Sequence, residues 1–115
     1  MLALGSFAAL ALLQADAPPM ECRFGPGQYE VAGHVWLAIA CSDRETLLLI
    51  AAEPNPAAPF LFIFSPSEAG YDLRGEGNSP RDVTASAFES LRQYDEQRIR
   101  ELVDELLSEF DRSTD

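Results

Sequence analysis

The sequence predicts an α+β fold, in which a curled antiparallel β-sheet of about five strands precedes two C-terminal α-helices packed on one face. Apolar runs rich in β-branched and aromatic residues, separated by turn residues, fill positions 21–75. An apolar stripe with helical spacing follows in the last part of the chain. The longest apolar runs have no polar side, which indicates strands buried on both faces.

The domain organisation follows from length and composition. A chain of 115 residues with ordinary apolar content fits one compact domain. We predict that residues 1–17 form a secretory signal peptide and that residues 18–115 form a single small α+β domain. Within that domain the sheet is expected at residues 21–75 and the helices at residues 80–111.

The signal-peptide prediction depends on the first seventeen residues. Residues 1–13 are uncharged and largely apolar, and Ala15-Asp16-Ala17 matches the small-x-small pattern of a signal-peptidase site. Two features oppose it: the segment has no Lys or Arg, and cleavage would leave Pro18 at the new terminus. An uncleaved structural helix in a cytosolic protein is the alternative. The run is shorter than the roughly 20 residues of a spanning helix, so we do not expect an integral membrane protein.

Two cysteines bear on the compartment. Cys22 and Cys41 are the only cysteines, and in a secreted chain they most simply form one disulfide. The chain contains no Lys and is rich in Ala and Arg, a usage typical of bacteria. These features predict a periplasmic or secreted bacterial protein. Two buried free thiols are expected instead if the protein is cytosolic.

The charge balance restricts the partners. The chain carries 19 acidic and 8 basic residues, giving a net charge of −11, and every basic residue is Arg. Binding to nucleic acid or to an anionic membrane requires clustered cations, so neither is expected. A strong negative field favours solubility and attracts basic proteins.

Turn residues divide the predicted sheet into strands. Gly25-Pro26-Gly27 predicts a turn between two short strands, residues 42–45 predict a hairpin loop, and the three prolines of residues 54–59 predict an exposed extended connection. The strands between these breaks are expected at residues 21–24, 28–31, 34–41, 46–53, 59–65 and 71–74.

Capping residues and an apolar stripe define the helices. Ser79 followed by Pro80 is one candidate N-terminus and Ser86 with Glu89 is a second, so the first helix is expected to start between them. Asp95 predicts the N-cap of a second helix after a break at residues 93–95. The stripe has members spaced at i, i+3, i+4, i+7, i+8 and i+11. They are Ile99, Leu102, Val103, Leu106, Leu107 and Phe110.

The central strands have two apolar faces, and each face needs a covering layer. Both faces of residues 34–41, 46–53 and 59–65 are apolar, and the helical stripe covers only one. Alanines at 38, 40, 51 and 52 predict where a helix approaches closely. Curling of the sheet, the segment at residues 21–31, an unprocessed N-terminus or another protein molecule remain alternative covers for the second face.

The sequence contains no recognisable catalytic motif, metal-ligand set or cofactor fingerprint, so we predict a non-enzymatic protein without a cofactor. His34 is the only histidine, which excludes multi-histidine zinc sites. Glu101, Glu105 and Glu109 recur every four residues and form an acidic stripe suited to docking a basic protein.

The expected function is therefore that of a small secreted or periplasmic domain acting through protein contacts, either with a basic partner or by self-association. The alternative is an enzyme or small-ligand binder with a pocket in the mouth of the curled sheet. Trp36, His34 and Tyr71 would line that pocket.

Overall fold

A computed structural model describes residues 19–114, with side chains described as far as Asp111. Five strands precede two helices, which confirms the predicted α+β fold. The strands are β1 (Cys22–Val31), β2 (His34–Cys41), β3 (Leu47–Ile50), β4 (Leu61–Ser67) and β5 (Gly70–Glu76), and the helices are α1 (Arg81–Leu91) and α2 (Glu96–Thr114). The predicted signal peptide at residues 1–17 lies outside the described residues.

The strands form one antiparallel meander in the order β1-β2-β3-β4-β5, so β1 and β5 are the two edges. In its centre, Leu37 of β2 pairs with Ile50 of β3, which pairs with Leu61 of β4. One residue further along β2, Ala38 pairs with Leu49, and Leu49 with Phe62. Because successive side chains alternate between faces, these two rows lie on opposite sides of the sheet.

The helices cover the face that carries the aromatic side chains. Trp36 and Phe62 are 1% and 2% exposed and contact each other with ring centroids 5.3 Å apart. Phe64 stacks on Tyr94, between the helices, at 6.2 Å. The predicted helical stripe is buried against this face at Ile99, Leu102, Val103, Leu106 and Leu107. We call this the inner face.

Small residues allow α2 to approach the sheet. Ala38, Ala40 and Ala51 are buried in the core, as predicted, whereas Ala52 is exposed and marks no helix contact. A Cβ atom at Gly27 would lie 2.8 Å from the Cδ2 atom of Leu106. The absence of a side chain at this position therefore sets how closely α2 lies against β1.

The predicted turn at Gly25-Pro26-Gly27 is wrong, because β1 continues through it as one strand. The pairing with β2 shifts register twice, between Cys22 and Phe24 and between Phe24 and Gly27. Gly25 has a φ of 146°, which favours glycine, and a Cβ there would lie 2.7 Å from the carbonyl oxygen of Ala38. A β-bulge takes up the residues that locally resemble a turn, so the strand remains paired.

The two helix starts differ from each other. α1 begins at Arg81, between the two predicted candidates, but Pro80 occupies the cap position without a side-chain cap, so neither Ser79 nor Ser86 caps the helix. The Asp95 cap is confirmed, because the backbone N–H of Arg98 donates to its Oδ1 atom at 2.8 Å. The helical conformation is interrupted between Leu91 and Glu96, as the sequence predicts.

The proline-rich connection is anchored by a side chain. Its prolines are exposed, as predicted, but residues 53–59 form turns rather than an extended segment, and Asn55 and Ala57 are buried. The predicted extended conformation is therefore wrong. The Asn55 side-chain amide donates to the carbonyl oxygen of Val35 at 2.8 Å. Val35 lies beyond the paired length of β3, and Asn55 therefore satisfies a backbone acceptor that the sheet leaves unpaired.

The predicted disulfide between Cys22 and Cys41 is confirmed. It joins the start of edge strand β1 to the end of β2, next to the hairpin loop. In that loop Asp43 accepts hydrogen bonds from the backbone N–H groups of Glu45 and Thr46. Burial opposes ionisation of the Asp43 carboxyl, but hydrogen bonds from Thr46 and Glu45 outweigh this effect and lower its pKa.

Candidate functional site

The face of the sheet opposite the helices carries seven aliphatic side chains, which we call the outer patch. They are Val35, Leu37, Ile39, Leu48, Ile50, Leu61 and Ile63. Each is at least partly exposed, and Val35 is 49% exposed. None belongs to the core or packs against it, and no helix within residues 19–114 lies over them.

Strand alternation explains why these residues share one face. Trp36, Phe62 and Phe64 alternate with the aliphatic residues of β2 and β4. A register slip of one residue would move those large aromatic rings from the helix-covered core into water. Burial of the aromatic side therefore determines which side remains uncovered.

Polar residues border the outer patch on the two edge strands. On β1, Glu30 lies opposite Val35, and on β5, Glu76 lies opposite Leu61. Asp72 and Arg74 share the outward side of β5, and Arg74 forms an exposed ion pair with Glu76 at 3.4 Å. The result is an uncharged aliphatic centre with acidic edges, the arrangement of apolar core and polar rim found in protein interfaces.

One end of the outer patch opens into a cleft of about 510 Å³. Val35 and Leu37 supply its aliphatic part. The remaining lining comes from the β1–β2 hairpin and the proline-rich connection: Gln28, Gly33, His34, Ala52, Glu53, Pro54 and Asn55. The cleft therefore extends the outer patch into a concave, partly polar end.

The three residues predicted to line a sheet-mouth pocket lie apart. His34 is exposed and lines the cleft, whereas Trp36 is buried beneath the sheet, where its Nε1–H has no hydrogen-bond partner. Tyr71, on β5, donates its hydroxyl hydrogen to the carbonyl oxygen of Glu45 at 2.6 Å. Burial raises the pKa of Tyr71. The structure thus places only His34 beside the outer patch.

The acidic stripe lies on the other side of the molecule. Glu101, Glu105 and Glu109 are exposed on α2, which covers the inner face. Glu105 and Glu109 border a groove of about 420 Å³ between α2 and β1 that also contains Tyr29. Burial, together with the charge of Glu105 and a hydrogen bond to it, raises the pKa of Tyr29 to about 12. The stripe and the outer patch are therefore separate surfaces.

The residues described, 19–114, contain no cluster of three or more His, Cys, Asp or Glu side chains placed to hold a metal ion. In the same range, no helix combines the length and apolar character needed to cross a membrane. No known protein family, curated protein or solved structure matches the chain.

Proposed function

We propose that this protein is a small, non-enzymatic binding domain of the periplasm or the extracellular space, and that the outer patch is its protein-binding surface. One observation carries the proposal: seven aliphatic side chains form a continuous face that no element within residues 19–114 covers. Aliphatic patches of a few hundred Å² on monomers frequently mark interaction sites.

The size of the outer patch is consistent with a moderate interaction. Seven outward side chains, each occupying about two residues of strand length and one strand spacing of about 4.8 Å, give a face of roughly 230 Å². Burying about that much apolar surface contributes roughly 6 kcal/mol before the cost of association. The polar edges and the cleft add specificity rather than much free energy.

The disulfide supports the proposed compartment. Disulfides persist in oxidising compartments, and the Cys22–Cys41 bond is compatible with an extracytoplasmic protein. The apolar segment at residues 1–13 and the following Ala15-Asp16-Ala17 provide a route for export.

Site-specific crosslinking in the native host tests the proposal. A photoreactive amino acid replaces Ile50, in the centre of the outer patch, or Gln97, which is exposed on α2. We expect one discrete adduct with a single protein at position 50, lost when Leu48→Asn is added, and none at position 97. Absence of an adduct at position 50, or the same adducts at both positions, contradicts the proposal.

The cleft favours a second candidate, a small-ligand binder. Its volume of about 510 Å³ and its mixture of aliphatic and polar lining are typical of ligand sites. His34→Ala would abolish binding of a small ligand there, whereas it leaves the crosslink at position 50 intact if the outer patch binds a protein. Native mass spectrometry of the protein from its host detects a retained ligand directly.

A further inference from the structure

We propose that the partner seated on the outer patch is an amphipathic α-helix whose apolar stripe is flanked by Lys and Arg residues. This inference rests on the proposed function and specifies its partner. The shape of the outer patch and the charges at its edges each support it.

The shape of the outer patch suits one helix. Its aliphatic residues lie on three neighbouring strands, which span about 10–14 Å, close to the diameter of a helix with its side chains. On the inner face, a single helical stripe from α2 already packs on β1 and β2. A second helix on the outer patch would complete a helix–sheet–helix arrangement of ordinary layer spacing.

The charges at the edges specify the flanks of that helix. Glu30 lies on one side of the outer patch, Asp72 and Glu76 lie on the other, and Glu53 lines the cleft at its end. The basic residue on the outward side of β5, Arg74, is paired with Glu76. A helix lying between these edges has acidic groups along both of its sides. Lys or Arg residues there would give complementary charge and speed association.

A second copy of the chain fits less well. In a two-fold, face-to-face dimer, the β1 and β5 edges of one copy lie over the β1 or β5 edges of the other. That arrangement sets Glu30, Asp72 and Glu76 against acidic residues, in chains that each carry a net charge of −11.

Peptide binding tests the inference. The probe is a fluorescently labelled 18-residue Leu/Lys amphipathic peptide, and the control probe is the matching Leu/Glu peptide; anisotropy is measured with the protein purified from its native host. We expect the Leu/Lys peptide to bind and the Leu/Glu peptide not to bind. Leu48→Asn and Ile63→Thr should each weaken binding about tenfold or more, since each removes an aliphatic contact from the centre of the helix footprint.

Matched charge variants test whether the acidic edges of the outer patch contact the basic residues that flank the helix stripe. Glu30→Gln combined with Asp72→Asn removes one acid from each edge, and we expect several-fold weaker binding with a smaller dependence on salt. Glu101→Gln combined with Asp104→Asn removes two acids from the exposed side of α2 and should leave binding unchanged. If this control pair weakens binding and the edge pair does not, the basic helix binds the acidic stripe and the inference is wrong. Circular dichroism confirms that each variant is folded.

Other occupants of the outer patch give different results. A doubled mass in light scattering at neutral pH identifies a second copy, and binding to phosphatidylcholine vesicles identifies a membrane. Peptide binding that is lost in the chain retaining residues 1–17 identifies the N-terminal segment as the occupant. Any of these outcomes overturns the inference. A crosslink at position 50 without Leu/Lys peptide binding overturns the basic-helix inference alone and leaves the proposed function standing.

Discussion

The two faces of β3 make a direct test, because neighbouring leucines point in opposite directions. Leu49 is 1% exposed and pairs with Ala38 and Phe62 in the core. Leu48 is partly exposed on the outer patch and pairs with Ile39 and Ile63. The substitutions Leu49→Ala and Leu48→Ala are chemically identical and occur in the same strand, so differences in strand propensity cancel.

The expected magnitudes differ because only one site leaves a cavity. Leu49→Ala removes a fully buried side chain beneath the helices and should lower the free energy of unfolding by about 3–4 kcal/mol. Leu48→Ala removes a side chain that already contacts water and leaves no enclosed space. Its transfer term alone amounts to about 1 kcal/mol. The two variants should therefore differ by roughly 2 kcal/mol or more.

Urea denaturation followed by circular dichroism measures both values. The comparison requires that the two variants keep the same m-value, so that a shift in midpoint reports stability. Equal losses for Leu48→Ala and Leu49→Ala would show that the outer patch is buried, which refutes the two-faced sheet. A loss at Leu48 that grows with protein concentration would instead show that a second copy covers it.

Three further predictions concern the disulfide, a tyrosine and a helix cap. Replacing Cys22 and Cys41 together by Ser should cost about 3 kcal/mol in the same urea assay, because the bond closes a loop with a sequence separation of 19 residues. The raised pKa of Tyr29 means that its folded-state pKa, about 12, exceeds the unfolded value; its stabilisation is complete below about pH 10 and lost as pH rises to 12. Absorbance titration should show this late ionisation, and Glu105→Gln should lower the pKa. Asp95→Ala should cost about 1 kcal/mol in thermal unfolding, whereas Asp95→Asn should cost less because it keeps the cap.

Sequence patterns predict the inner face well because its signals are local. The spacing of Ile99, Val103 and Leu107 defines the helical stripe without reference to any other element. Ala38 and Ala40 mark the face that α2 approaches, and the Asp95 cap marks where that helix begins. Each of these features depends on residues within a few positions of one another.

Features that depend on distant pairing were not predicted. Gly25-Pro26-Gly27 resembles a turn locally, but pairing with β2 holds it in the strand as a bulge. Asn55 resembles a loop residue, but it supplies a hydrogen bond to Val35, twenty positions earlier. A pocket shared by His34, Trp36 and Tyr71 requires their side chains to converge, whereas Trp36 is buried on the inner face, His34 is exposed beside the cleft and Tyr71 lies on edge strand β5.

The sequence predicts the aliphatic centre of the outer patch but not its acidic edges. Alternation shows that both sides of β2, β3 and β4 are apolar, and the aromatic residues identify the side that most needs cover. The acidic edges, however, come from the register that sets Glu30 beside Val35 and Glu76 beside Leu61. That register is set by the two-residue turns at residues 32–33 and 68–69, whose exact positions the spacing of apolar residues does not specify.

The negative net charge of the protein offsets the tendency of the outer patch to self-associate. An uncovered aliphatic face promotes self-association, and a net charge of −11 opposes it, because two copies that meet face to face bring acidic edges together. This balance should fail near the isoelectric point of about 4.3, where the repulsion disappears. Light scattering at that pH should show self-association that Ile63→Thr reduces and that Glu101→Gln does not. Equal association of all three proteins would show that the outer patch does not drive it, and the charge would then need another explanation.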